Sequence, residues 1–494
     1  MHARHLWQRP SRAGSGLGVA KAPVLRQLLR VAGCLWLLLL AALVGSSART
    51  LVSIHLGNSS LQGADLPRFP SPTPHSRVLV ISPHPDDETL GCAGLIQQAV
   101  SRGVPITVVF LTNGDAFPAS AAAVLHRLKL GPQEFVRVGE RRQQEAIAAL
   151  RTLGVPERDV VFLSYPDRGL LAMWTRYWER PVRARYTHAA TSPYPRSFTP
   201  DAPYAGKALV ADLARLILDR RPTDIFVTHP NDEHTDHQAA GCFTVAAIES
   251  LKACGLIAEP GPAVHTYVIH RGDWPVPQGL HPHRKLVPPT SLSALDTRWF
   301  SLPLSPAEVR AKAAAVWCYR SQIALPNERR FMASFVRSNE LFGEFRWVLG
   351  DRPDELAPGD TASGWYTIFD PVGDKVPRSM QPSADIEQVT VHRVGDVLDV
   401  RLMLEGRVAR WATYVVRIRP VGAVGPSERA VTASLGPRRT SLPKGAICDR
   451  AGNVLHMKVP TAAMGNPSEV MVSADTHVGA ITVDRTAWRA FRIR

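Results

Sequence analysis

Between Arg77 and about residue 255, short apolar runs alternate with amphipathic stretches. VLVIS (Val78–Ser82), ITVVFLT (Ile106–Thr112), VVFLS (Val160–Ser164) and DIFVTH (Asp224–His229) are continuous and rich in β-branched residues. That pattern belongs to strands buried on both faces. Thr89–Arg102, Glu140–Leu153, Ala208–Leu218 and Gln238–Cys254 carry a helical period, and Gly103 and Gly154 close two of them. Repeated strand–helix units predict an α/β fold with a Rossmann-like, mostly parallel sheet and helices on both faces. Residues 168–205, rich in Tyr, Arg and Pro, read as a long loop. After about residue 350 the period changes to two. In VLDVRLML, Leu398, Val400, Leu402 and Leu404 share one side of a strand; Tyr414, Val416 and Ile418 do so in TYVVRIRP. Alternating strands between Gly/Pro turns predict a C-terminal all-β, sandwich-like region.

The N-terminal segment follows neither period. Val31–Gly45 is an uninterrupted apolar run. It has the length of a signal-peptide core, which is shorter than the roughly 20 residues of a spanning helix. Small residues follow it, and a long basic stretch precedes it. The expectation is an exported protein, either secreted or anchored to the membrane by this segment with its N-terminus inside. Residues 1–49 thus read as a basic leader with signal peptide or anchor, and 50–75 as a Pro-rich linker. Residues 76–348 read as the α/β domain and 349–494 as the β domain.

Composition sharpens this picture. The net charge of +15 would ordinarily suggest nucleic acid or an anionic surface. Yet Arg4, Arg9, Arg12, Lys21, Arg26, Arg30 and Arg49 all precede the first acidic residue, Asp65, and the rest of the chain shows no basic run. No nucleic-acid partner is expected. The scattered cysteines Cys34, Cys92, Cys242, Cys254, Cys318 and Cys448 form no CxxC and no disulfide scaffold; free thiols are expected.

Two polar clusters carry the candidate chemistry. Pro83-His84-Pro85-Asp86-Asp87-Glu88 follows the first buried strand and opens a helix. His229-Pro230-Asn231-Asp232-Glu233-His234-Thr235-Asp236-His237 does the same after the fourth. In open α/β sheets, sites are built at that strand edge. Acids and imidazoles so crowded would repel and desolvate one another, and a divalent metal resolves the conflict. An Asp86–Asp87 helix cap is the plain alternative for the first cluster taken alone.

The pair PHPDDE and HxDH resembles the zinc-dependent N-deacetylases called LmbE-like or PIG-L. Arg142-Gln143-Gln144-Glu145, the turn Tyr165-Pro166-Asp167-Arg168-Gly169 and Lys312–Gln322 are similar to further stretches of that family. The resemblance covers roughly residues 77–345. It implies an α/β enzyme that removes acetyl groups from N-acetylglucosamine-type amides. It implies zinc ligands His84, Asp87 and His237, with the fourth position open to water. Asp86 is then the general base. His234 steadies the oxyanion or protonates the leaving amine, and Asp236 is a carboxylate that orients an imidazole. Arg142 and Asp167 match positions that hold sugar hydroxyls; an ordinary helix Arg and a turn Asp are the alternatives. Another divalent ion such as iron suits the same donors.

Glu88 reads as a brace for its helix. His229, Tyr267, His270, Asn113 and Asp115 are weaker candidates at the same edge, and Trp411 and Trp488 are candidate sugar platforms or core residues. The expected function is metal-dependent deacetylation of an N-acetylated amino sugar in a small molecule or glycan. An exported, non-catalytic carbohydrate-binding protein and an amidase for non-sugar amides are the competing readings.

Overall fold

Val78–Ser82 is fully buried, and its register with Ile106–Thr112 on one side and Asp224–Thr228 on the other is parallel. A strand so placed has no solvent face, which is why its sequence carries no polar alternation. The computed structural model describes residues 66–493 apart from 128, 294, 296, 350–364, 372–380, 423–428 and 438. The basic leader, the apolar run 31–45, Cys34 and most of the Pro-rich linker lie outside the described residues. Among the described residues, no helix is long and apolar enough to cross a membrane.

The first sheet contains β1 (Val78–Ser82), β2 (Ile106–Thr112), β3 (Val160–Tyr165), β4 (Asp224–Thr228), β5 (Ala263–Tyr267), β6 (Arg298–Pro303) and β7 (Asn339–Glu344). Its order is β3-β2-β1-β4-β5-β7-β6. The strands from β3 to β5 run parallel, and β7 pairs antiparallel with both β5 and β6. The chain moves outward from β1 to β3, then returns to β4 on the other side of β1. That reversal is a topological switch point, where the loops after two neighbouring strands part and leave a crevice.

The helices extend beyond their apolar periods. The helix expected from Glu140 begins at Pro132, where proline occupies the first turn and Gly131 precedes it. The second begins at Asp87, so two acids sit in its first turn. The long loop holds one short helix, Leu170–Thr175. Two sheet faces give two cores, one around Phe110, Phe226 and Trp299, the other around Leu163, Phe243 and Trp174.

The C-terminal region is a pair of sheets. One has Tyr366–Phe369, Ile386–Val394, Val397–Leu404, Val454–Pro460 and Ile447–Ala451; the other centres on Thr413–Pro420 and Glu469–Val478. Leu398, Val400, Leu402, Tyr414, Val416 and Ile418 are buried between them, as period two requires. Val348–Leu349 already pairs with Arg489–Arg492, so the junction at 348/349 falls inside a strand of this region. Trp488 is 3% exposed and Trp411 48%. Cys92, Cys242, Cys254, Cys318 and Cys448 are free.

Candidate active site

Both polar clusters leave the sheet at the switch point, one after β1 and one after β4. The Ser82 hydroxyl donates to His84 O at 2.6 Å and accepts from Glu88 N–H at 3.2 Å, which folds the first turn back on itself. The result brings three donor atoms together. His84 Nδ1 stands 3.2 Å from Asp87 Oδ2 and 3.2 Å from His237 Nε2, and His237 Nε2 stands 3.1 Å from Asp87 Oδ2. In a tetrahedral zinc site with bonds of about 2.0–2.1 Å, ligand atoms lie about 3.3 Å apart. The spacing therefore fits one small divalent ion. Asp86, Glu88, Asp167, Asp232 and Asp236 also gather here, and Arg142 pairs with Asp86. Such an excess of buried carboxylate calls for a cation.

Each imidazole is held from behind by an acid. His84 Nε2 lies 3.3 Å from Asp167 Oδ1 and 3.5 Å from Asp236 Oδ2, while His237 Nδ1 lies 3.2 Å from Asp232 Oδ2. Those contacts leave His84 Nδ1 and His237 Nε2 turned toward the shared point. Burial opposes a charged His237, yet Asp232 and Asp87 lift it to about 9. Asp236 also binds the backbone N–H groups of Arg168 at 2.6 Å and Leu170 at 3.1 Å, fixing the turn that carries Asp167. Asp232, part of the motif but without an expected role, likewise accepts from the backbone of His234, Ile269 and His270. The signal for it was present: an acid in the turn two residues before His234, able to bind backbone on both sides.

Asp86 occupies φ 131°, a region that L-residues rarely adopt. Its N–H donates to Glu88 Oε2 at 3.0 Å, and its Oδ2 accepts from Arg142 Nη2 at 2.9 Å. Burial pushes its carboxyl up to about 8 despite Arg142. Arg142 is 4% exposed and also binds Gly114 O and Pro85 O, each at 2.6 Å. The structure thus places Arg142 behind Asp86 and Asp167 behind His84, with both reaching the cavity wall. Glu88 is a brace: fully buried, it takes hydroxyl hydrogens from Thr89 and Tyr319 as well as Asp86 N–H.

His234 caps the helix Thr235–Ala253, its Nδ1 accepting from Asp236 N–H at 3.3 Å. That bond puts the hydrogen of a neutral ring on Nε2. Burial, together with the His84, His237 and His270 rings, pushes His234 down to about 2. Among the weaker candidates, His270 stands with its ring centroid 5.0 Å from that of His237. His229 is buried against Thr297, and Tyr267 donates to Ile81 O inside the core. Asn113 accepts from Gln143, and Asp115 from the Tyr194 hydroxyl. The cluster opens into a cavity of about 240 Å3 that Phe117, Glu328, Phe331 and Met332 also line.

Residues 79–248 match the family model PIG-L, described as GlcNAc-PI de-N-acetylase. This region is a PIG-L-family domain. A Tsukamurella paurometabola protein named 1D-myo-inositol 2-acetamido-2-deoxy-alpha-D-glucopyranoside deacetylase is 28% identical over 41% of this chain and 65% of its own length. A Bacillus anthracis protein named probable N-acetyl-alpha-D-glucosaminyl L-malate deacetylase 2 is 28% identical over 32% of this chain and 69% of its own. The chain thus spans a little under two thirds of the first relative. A solved N,N'-diacetylchitobiose deacetylase from Pyrococcus horikoshii aligns over 56% of this chain and 86% of its own, at 18% identity and TM-score 0.35. The PIG-L domain includes both polar clusters; the C-terminal sheets lie outside the match.

Proposed function

We propose that the chain is a metal-dependent N-deacetylase that hydrolyses the acetamide of an N-acetylated amino sugar. The observation that carries this is the convergence of His84 Nδ1, Asp87 Oδ2 and His237 Nε2 within 3.2 Å of one another, beside the strained, largely buried Asp86. These three donors would hold the ion, zinc by preference, with iron also suited to them. When bound, such an ion supplies a Lewis acid and acidifies water.

The chain's own groups supply the rest. Asp86 takes the proton from the attacking water and returns it to the amine nitrogen as the C–N bond breaks, with Arg142 holding its carboxylate at a fixed angle. His234 offers its Nε2–H as a neutral donor to the oxygen on which charge develops. Asp232 and Asp236 keep the His237 and His84 rings from turning. The names of the relatives support an amino-sugar amide as substrate, and the cavity has room for a sugar ring. The basic leader and the run Val31–Gly45 support export, with this site outside the cytoplasm.

The test is acetate release from a panel of N-acetylated sugars and non-sugar amides. Chelated protein should lose activity and regain it with Zn2+ or Fe2+. Release from the non-sugar amides alone would overturn the sugar reading, and metal-free protein with full activity would overturn the mechanism. Fractionation of cells expressing the full chain should find it outside the cytoplasm; a cytoplasmic pool alone would refute export.

A further inference from the structure

The helix Pro326–Ala333 contributes Glu328, Phe331 and Met332 to the cavity lining, and nothing in the deacetylation chemistry uses it. Glu328, Phe331 and Met332 have the i, i+3, i+4 spacing of a single helix face, and all three line the cavity. Arg329 and Arg330, between them in sequence, are exposed. Phe331 is half-buried, its ring stacked 6° from parallel on His270 at 5.2 Å, so the platform is locked in place by a residue of the site itself. Glu328 is half-buried, and no cation or hydrogen-bond donor contacts its carboxylate among the described residues. Burial alone raises its pKa. A carboxylate left short of donors beside an aromatic face is matched by a polyol: vicinal hydroxyls donate to the oxygens while the C–H face rests on the ring. Phe117 adds a second half-buried aromatic side chain to the cavity lining.

We propose that Glu328 and Phe331 form a subsite for a neutral polyhydroxylated group, a sugar or cyclitol, attached to the reacting amino sugar. This rests on the deacetylase reading and narrows it. Glu328 disfavours an aglycone carrying a carboxylate or phosphate at this wall, because two anions in a partly desolvated pocket repel. Arg168 also reaches the cavity, but from the Asp167 turn; it leaves the carboxylate of Glu328 uncompensated.

The experiment compares kcat/KM for acetate release from three probes: N-acetylglucosaminyl inositol, N-acetylglucosaminyl malate and free N-acetylglucosamine. Full-length wild type, Glu328→Gln, Glu328→Lys and Phe331→Ala are assayed with zinc, and thermal melting confirms that each is folded. The expected result is that wild type prefers the inositol conjugate to the malate conjugate. Glu328→Gln should cut the ratio of inositol conjugate to free sugar about tenfold, the effect of losing hydrogen bonds to a charged acceptor. Glu328→Lys should shift preference toward malate by at least as much, and Phe331→Ala should lower the same first ratio. Ratios unchanged in the Glu328 variants, or a wild type that prefers malate, overturn the subsite alone. No acetate from any probe overturns the deacetylase reading, and the subsite with it. Because Glu328→Gln is isosteric at a half-buried position, it keeps the test decisive if Phe331→Ala fails to fold.

Discussion

Asp86 is held by two constraints that folding alone does not require: a φ of 131° and a carboxylate buried beside other acids. The Glu88 acceptor and the Arg142 guanidinium hold it there. If it is the base, Asp86→Asn keeps the shape and removes only proton acceptance. Its kcat should fall about 10²–10⁴-fold while bound zinc stays stoichiometric, a split read by steady-state kinetics and metal analysis. Asp232→Asn should do the reverse. It leaves Asp86 intact but loosens His237, so zinc affinity should fall about 10–100-fold, measured by competition with a chelator. At this scale the sequence was most legible where a residue type has few other uses: histidines and acids packed at a strand end. It was least legible for partners. Nothing in the spacing of Asp236 says that it reaches His84 and the Arg168 turn, because that pairing is set by how two loops from different strands meet.

The βαβ elements were readable because each strand is buried on both faces and its sequence is apolar throughout. The start of the helix Pro132–Thr152 was not: the apolar residues of its first turns, Phe135 and Val138, are buried in a small separate cluster with Ala121 and not against the sheet, and Pro132 marks the start. The antiparallel pair β6 and β7 also escaped notice, since its polar residues (Ser301, Asn339, Glu340) are consumed by contacts inside the protein and break the expected pattern. One glycine ties element to site. Gly114, at φ +62°, ends the turn after β2, and a Cβ built there would overlap the guanidinium of Arg142. Gly114→Ala should therefore push Arg142 off Asp86. The variant should lose more than about 1 kcal/mol of stability and most of its kcat, yet still bind zinc. Thermal melting, turnover and metal content together check it; retained turnover would show that Arg142 is not needed to hold the base.

The C-terminal sheets are joined to the PIG-L domain through a shared core, not merely by the chain. The helix Thr235–Ala253 carries His237 near its start, and its buried residues Phe243 and Ala247 lie in one cluster with Met471, Trp488 and Ala490. Trp488 meets Trp174 edge-on at 5.6 Å, and Trp174 meets Phe243 at 5.2 Å. Arg419 donates to Trp174 O and lies over the Trp178 ring at 4.3 Å. Gly241 on the same helix is small because the Trp347 ring takes the space. Period-two patterning announced a sandwich but not this interface: Trp488 reads equally as a sugar platform or a core residue until its neighbours are known. Its burial at 3% decides for the core. Trp488→Ala should then remove about 3–5 kcal/mol, as for other large aromatic deletions from a packed interior. Because the lost contacts belong to both regions, the variant should still melt in a single transition, at a lower temperature, with activity and both regions' folding lost together. Calorimetry read beside residual deacetylation is the check. Two separated transitions, or a PIG-L domain that stays active while the sheets melt, would show that the β region is a passenger and not part of the scaffold that holds His237 in place.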